Sequence, residues 1–275
     1  MIDFFKVHGN GNDFVVLDNR EGRFSDADLS AAATALCRRR SSIGADGLMA
    51  VEPSRDADFR MRIFNADGSE AAMCGNGARV LARYAYERGI APSPMRFETG
   101  AGMLEAVVEP PFAELDMGRL DLASGLFGRS LRVGGVTFPF VFLTVGVPHC
   151  VLLTDEAYSR DAMREMGREA RHDTELFPDG ANVTFARRSP DGEVWAVTYE
   201  RGVEDLTDSC GTGCVAVAVA AVLVWGMDLP VRVANPGGIN TVRLEFAPGN
   251  GSVRAWLKGR TALVASGQLL EDAWS

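Results

Sequence analysis

Lysine is almost missing from this sequence: among 275 residues only Lys6 and Lys258 occur. A pyridoxal-phosphate Schiff base needs a lysine amine, so that chemistry has few candidates here. Histidine is nearly as scarce, limited to His8, His149 and His172, with no two at helical ligand spacing. No C-x-x-C pair is present either, so nothing marks a structural zinc site. The five cysteines are an odd number in a long chain and do not form a secreted disulfide framework. A reducing, cytoplasmic setting is expected. Long hydrophobic runs are lacking too. The longest, Cys214 to Trp225, is about a dozen residues and too short to span a bilayer. The opening Met1-Ile2-Asp3-Phe4-Phe5-Lys6 runs straight into Gly/Asn-rich sequence, so no signal peptide is expected. Basic charge is in deficit, with 28 Lys+Arg against 37 Asp+Glu for a net charge of −9. That is the wrong sign for a nucleic-acid or anionic-membrane surface. The run Arg38-Arg39-Arg40 reads as a solvated helix end, where cations complement the dipole. Gly-Asn-Gly at 9–11 and Cys-Gly-Asn-Gly at 74–77 lack the third glycine of a dinucleotide fingerprint.

What is there is a duplication. Shifting the sequence by 136 positions lays Cys74-Gly75-Asn76-Gly77 on Cys210-Gly211-Thr212-Gly213. At the same offset Asp13–Leu17 falls on His149–Leu153, Gly44-Ala45-Asp46 on Gly180-Ala181-Asn182, and Thr99–Gly102 on Asn235–Gly238. Several ungapped matches at one offset predict two homologous halves, each with one cysteine in the same structural place. Length and an ordinary globular composition, 47% hydrophobic and 24% charged, agree with two domains. The expected boundaries are residues 1–117, completed by 262–275, and residues 118–261. Phe14–Leu17, Phe59–Phe64 and Arg96–Val108 read as strands in the first half. Val194–Tyr199, Val231–Ala234, Thr241–Phe246 and Ser252–Leu257 do so in the second. Helical patterns follow each Cys-Gly-x-Gly, over Ala78–Arg88 and Cys214–Trp225, with Gly89 and Gly226 as stops. The second is apolar nearly all round and should be buried. The expected fold is α+β: two pseudo-symmetric domains, each a curved mixed sheet wrapped around a central helix. Asp116–Arg132 is expected to cross between the halves, and Thr261–Glu271 to return to the first as a strand.

A thiol immediately before a helix sits among amides with no intrahelical partner and at the positive end of the dipole. Such a thiol is expected to be pulled toward the thiolate, and the small residues after it let a carboxylate reach the bare N–H groups. With both halves facing one cleft, a thiolate and a thiol would flank a substrate carbon, one as base and one as acid. Abstraction of an α-proton from an amino acid fits this, because the developing carbanion charge can be held by preorganised amides. Cys74 and Cys210 are therefore the catalytic candidates, whereas Cys37, Cys150 and Cys214 read as inert core.

At these residues the sequence resembles the diaminopimelate epimerase family over almost its whole length. His8-Gly9-Asn10-Gly11-Asn12-Asp13-Phe14 is similar to the family's opening H-G-x-G-N-D-F. Arg62–Glu70 followed by Met73-Cys74-Gly75-Asn76-Gly77-Ala78-Arg79 is similar to its most specific signature, and Tyr199–Gly202 with Ser209–Gly213 to its second half-site. Ile43–Gly47 and Gly180–Val183 match further family segments. The resemblance implies interconversion of LL- and meso-diaminopimelate without cofactor or metal, on the bacterial route to lysine and cell-wall precursors, by a homodimer. It further implies that Asn12, Asn65, Asn182 and Arg201 contact the substrate. Gly75-Asn76 and Gly211-Thr212 would receive the reacting carboxylate. His149 and Glu200 would tune the thiols, with Glu200 also touching substrate. From the residues alone, Asn12 and Asn182 could serve turns and Glu200 could pair with Arg201.

Three departures from the family pattern stand out. Val147 replaces the commoner substrate-binding Asn, Ser41-Ser42 replaces residues usually ending in Gly, and Val203–Asp208 differs from the frequent G-A-G-E-T form. The substrate alternatives are another amino acid, such as histidine or a proline derivative. Met-Cys-Gly-Asn-Gly rather than Cys-Gly-His-Gly speaks against the proline type. A non-catalytic amino-acid-binding protein is a further alternative, which retention of both cysteines opposes.

Overall fold

Continuous apolar runs such as Phe14–Leu17 and Leu48–Val51 suit strands buried on both faces, and the computed structural model, described over residues 2–249 and 251–274, places them in that way. The order of elements is β1 (Ile2–Gly9), β2 (Asn12–Asp18), α1 (Asp26–Leu36), β3 (Gly47–Glu52), β4 (Phe59–Asn65), β5 (Glu70–Ala71), α2 (Gly75–Glu87), β6 (Met95–Thr99), β7 (Gly102–Glu109) and β8 (Phe112–Asp121). There follow β9 (Leu126–Val133), β10 (Val136–Val145), β11 (Val147–Thr154), α3 (Arg160–Arg171), β12 (Asn182–Arg188), β13 (Val194–Glu200), β14 (Asp205–Thr207), α4 (Gly211–Trp225), β15 (Val231–Asn235), β16 (Gly238–Phe246) and β17 (Ser252–Leu269). The chain divides into two units, Met1–Asp116 with Gly259–Ser275, and Met117–Lys258.

In the first unit β1 is antiparallel to both β2 and the end of β17, from Gly9 opposite Thr261 to Ile2 opposite Leu269. The ladder continues with β2 parallel to β3, β3 antiparallel to β4, β4 parallel to β6, and β6, β7 and β8 antiparallel in turn. A β8–β17 pairing completes a closed, barrel-like circuit. Successive strand residues point to opposite faces, and the two faces take different helices. Leu48, Ala50 and Phe64 pack with Leu29, Ala32, Ala33 and Leu36 of α1. Met49, Met61 and Ile63 point the other way, against Gly77 of α2. Helix α1 starts on a capping box in which the Ser25 hydroxyl and the Asp28 carboxylate reciprocally take backbone amides.

The second unit repeats this plan. Strands β9, β10 and β11 are antiparallel, β11 is parallel to β12, β12 antiparallel to β13, β13 parallel to β15, and β15 antiparallel to β16. The register repeats as well: Phe14 opposes Gly47, and 136 positions on Cys150 opposes Val183. Cys150, Leu152, Val183 and Phe185 pack with Met163 and Met166 of α3. Val151, Leu153 and Ala186 pack with α4, whose Cys214–Ala221 stretch is wholly buried. Both units thus enclose one helix in a curved mixed sheet and carry a second outside it.

Several sequence expectations need revision in detail. The enclosed helices begin at Gly75 and Gly211, three residues earlier than the apolar patterns suggest, so Gly-x-Gly forms each first turn. Their stops, Gly89 and Gly226, adopt left-handed φ of 66° and 64°. Arg96–Val108 is a hairpin rather than one strand, turning at Gly100-Ala101. Asp116–Arg132 does hold the passage from the first unit to the second, at Asp116–Met117, and is mostly strand, in β8 and β9. Among the described residues no helix is long and apolar enough to cross a membrane.

Candidate functional site

Cys74 closes the short segment after β5 and is the N-cap of α2, with extended backbone at φ −138° and ψ 121°. Its helix hydrogen bonding begins with the Ala78 amide donating to the Cys74 carbonyl. The Gly75, Asn76 and Gly77 amides therefore lie in the first turn, where a helix offers its N–H groups outward. The Cys74 thiol is partly exposed and donates to Asn12 Oδ1 at 3.5 Å. Asn12 opens β2, and its Nδ2 donates to Asp46 Oδ2 at 2.8 Å. The two glycine-rich segments pack directly on each other: a Cβ on Gly9 would stand 2.8 Å from the Asn76 carbonyl oxygen. Asn76 is buried, and its Oδ1 accepts from Arg79 Nη2 at 2.6 Å, which aims the amide into the helix start. Asn65, exposed at the end of β4, donates from Nδ2 to Ser69 Oγ at 2.9 Å.

Cys210 repeats the arrangement in the second unit as the N-cap of α4, at φ −118° and ψ 107°. It is only 6% exposed. Burial drives its thiol pKa well above the usual range, the Glu200 carboxylate pushes it further, and the Thr212 hydroxyl and Gly213 amide pull back without winning. This corrects the expectation that a helix start alone draws the thiol toward thiolate. Two or three oriented dipoles do not offset the loss of water around a buried sulfur. Thr212 Oγ1 lies 3.6 Å from Cys210 Sγ. A Cβ on Gly213 would meet Thr198 Oγ1 at 3.0 Å and Cys210 Sγ at 3.1 Å, so any larger residue would press on the sulfur and its neighbours by a few tenths of an ångström.

Glu200 ends β13. Burial raises its carboxyl pKa, while a hydrogen bond with Thr207 of β14 opposes the shift. Its neighbour Arg201 turns elsewhere: its backbone amide donates to Asn182 Oδ1 at 2.7 Å, and its Nη1 to the Asp179 carbonyl at 2.8 Å. The adjacent pair is not an ion pair among the described residues. Buried Asn182, at the start of β12, stands beside His149 of β11 in parallel register. His149 is fully buried, and neither ring nitrogen has a hydrogen-bond partner among the described residues. Burial, with the nearby Arg201 charge, pushes its pKa down to about 3, so it is a neutral imidazole at any working pH. Val147 lies two residues before His149 on the same strand and therefore shares its face.

The sequence residues thus fall into two half-sites. Asn12, Asn76 and Cys74 meet in the first, and Cys210, Thr212 and Glu200 meet in the second, where His149, Asn182 and Arg201 form an adjoining group. The roles of four contributors escaped the sequence reading. Asp46 orients Asn12, Thr207 holds Glu200, and Asn235 and Asn240 engage Cys214. The Cys214 thiol donates to Asn235 Oδ1 at 2.9 Å and accepts from Asn240 Nδ2 at 3.3 Å, so this cysteine is not simply apolar filling. Asp46 and Asn235 left a trace in the sequence, since each lies in a segment repeated at the 136-residue offset, but nothing there gave their partners. Among the described residues, no three His, Cys, Asp or Glu side chains cluster so as to hold a metal ion.

Known proteins bear on these half-sites. The sequence model of the family described as diaminopimelate epimerase matches residues 4–122 and 141–255. A diaminopimelate epimerase of Archaeoglobus fulgidus is 40% identical over 255 residues, covering 88% of this chain and 89% of that protein. One from Desulfitobacterium hafniense is 38% identical and spans both chains completely. Among solved structures, a PhzF-family phenazine biosynthesis protein from Bacillus anthracis superposes with a TM-score of 0.72 at 17% identity, covering 98% and 99% of the two chains. A hydroxyproline epimerase from Agrobacterium vitis gives 0.67 at 20% identity, covering 98% and 93%. At such identities the structural matches establish the shared fold alone.

Proposed function

The chain belongs to the diaminopimelate epimerase family, and from that premise we propose that it interconverts LL- and meso-2,6-diaminopimelate by passing one α-proton between Cys74 and Cys210. The observation that supports this reading is the repetition of one device: a cysteine as N-cap of an enclosed helix whose first turn is Gly-x-Gly. In the proposed reaction one sulfur, as thiolate, takes the α-proton, and the C–H electron pair passes into the substrate carboxylate. The other sulfur, as thiol, returns a proton to the opposite face. The carboxylate is held by first-turn amides of α2 and α4, which meet its growing charge without reorganising. Each turnover leaves one thiolate and one thiol, with their roles exchanged. Arg201 and the Asn65 and Asn182 amides fix the distal amino-acid group, where a guanidinium fork suits its carboxylate, and Asn12 contacts the substrate beside Cys74.

The raised pKa of Cys210 in the substrate-free protein means the base must form as substrate enters. A substrate ammonium group nearby favours the thiolate, and the proton the sulfur gives up passes to solvent as substrate enters. Glu200 and the neutral His149 set the balance between thiol and thiolate. The setting proposed is the cytoplasm, with the enzyme as a homodimer on the route to lysine and peptidoglycan precursors, needing neither metal nor pyridoxal phosphate.

Reduced protein incubated with LL-diaminopimelate in heavy water is expected to form the meso isomer with deuterium at the inverted centre. Cys74→Ala and Cys210→Ala should each abolish inversion, since each face needs its own group. Near-wild-type turnover in either variant would refute the two-sulfur scheme. Activity is expected to survive chelator and hydroxylamine.

A further inference from the structure

The first half-site contains a charged cluster that the proposed reaction leaves unused. Asp46, in the loop leading into β3, accepts at Oδ2 from Asn12 Nδ2 at 2.8 Å and from the Asp13 amide at 3.2 Å. Its Oδ1 accepts from Arg39 Nη2 at 2.8 Å, and its own amide donates to Asp13 Oδ1 at 3.0 Å. Arg39 also reaches Asp13 Oδ1 at 2.8 Å, and Lys6 Nζ lies 2.6 Å from Asp13 Oδ2 and donates to the Gly44 carbonyl. Two carboxylates and two cations thus lock the loop against the β1–β2 hairpin.

The consequence lies in Asn12. A primary amide has one donating end and one accepting end of nearly the same shape, whereas an ionised carboxylate only accepts. Beside Asp46, the amide must turn its nitrogen to the carboxylate. Its oxygen is then the atom presented to Cys74, 3.5 Å from Sγ. An amide oxygen accepts from a thiol and repels a thiolate, and an N–H does the reverse.

We propose that Asp46 is a positioning residue that fixes the Asn12 amide so that Cys74 meets an oxygen and keeps its proton in the resting protein. On the reading of Cys74 as a proton-transfer thiol, this assigns it the donating role before substrate enters. Asp46 bonds to Asn12, the Asp13 amide and Arg39 rather than to the sulfur, and acts through Asn12.

The test is the rate of Cys74 alkylation by iodoacetamide at neutral pH, followed by peptide mass spectrometry, because only the thiolate reacts. Asp46→Asn lets the Asn12 amide turn its N–H to the sulfur. A stabilisation of one pKa unit makes Cys74 react roughly tenfold faster. Removing the Asp46 charge would also accelerate the reaction directly, so the same substitution is made in an Asn12→Ala background. There the acceleration should shrink to less than about twofold, since the relay is gone while the field effect remains. Equal acceleration in both backgrounds, or none with Asn12 intact, overturns the proposal. Asp46→Ser carries the same expectation if the Asn variant folds poorly. Alkylation needs no turnover, so the cycle reads Asp46 even if diaminopimelate proves not to be the substrate.

Discussion

His149 shows how far a single residue's chemistry departs from its sequence appearance. As a residue after Pro148 it could have been a turn or a core histidine, and its resemblance to a thiol-tuning residue gave no protonation state. In the structure it is sealed and neutral, with a pKa near 3 against 6.5 for a free imidazole. A depressed histidine pKa contributes stability that is fully present above about 6.5. That stability is lost as pH falls toward 3, because the unfolded chain binds the proton first. Urea midpoints should therefore fall between pH 7 and pH 5. In His149→Leu the slope of unfolding free energy should flatten by at most about 1.4 kcal/mol per pH unit relative to wild type. Identical slopes would mean that His149 is accessible to protons in the folded protein. Val147, on the same strand face, asks a different question. Restoring an amide with Val147→Asn should leave kcat similar and shift KM modestly if diaminopimelate is already well held. Parallel kinetics with diaminopimelate, histidine and lysine test the substrate. Efficient inversion of another amino acid with negligible turnover of diaminopimelate would refute the substrate assignment and leave the sulfur chemistry standing.

Among elements, α4 was the most legible and the most deceptive. Its run of Val and Ala announced a helix buried on every side, which the structure contains over Cys214–Ala221 but not in the last turn, where Leu223 and Val224 are exposed. The sequence did not disclose that Cys214 is tied to Asn235 and Asn240 on the β15–β16 hairpin, since those partners lie 21 and 26 residues away. It was equally silent on the crowding beneath Cys210. Gly213→Ala should gain roughly 1 kcal/mol of helix propensity, yet force a methyl to 3.0 Å from Thr198 and 3.1 Å from the sulfur. The expected outcome is a melting temperature within a few degrees of wild type and kcat lower by roughly tenfold or more, since small displacements of a reacting group are costly. Unchanged kcat would show that the sulfur position is soft. Strands were harder to read than this helix. The turn at Gly100-Ala101 interrupts what looked like one long strand. Strands β9 and β10 alternate too irregularly for periodicity to single them out.

For the whole molecule, the duplication was the decisive signal, because an ungapped offset fixes architecture without any knowledge of individual contacts. What it could not reveal is divergence between the copies. Asp46 and Asn182 occupy matching places after matching glycines, but one orients Asn12 and the other takes the Arg201 amide. The two sulfurs also diverge in access, with Cys74 partly exposed and Cys37, Cys150, Cys210 and Cys214 all buried. That inequality gives the protein a built-in stopwatch. A colorimetric thiol reagent should consume about one equivalent promptly, and the other sulfurs should answer only when the fold breathes. Where reclosing outpaces the reagent, those later phases measure the free energy of each local opening; at high reagent they measure its rate. Two fast equivalents would instead mean that Cys210 opens on the timescale of the reagent. Read in urea, the same four sulfurs would time the loosening around both enclosed helices and their outer layers without a single added label.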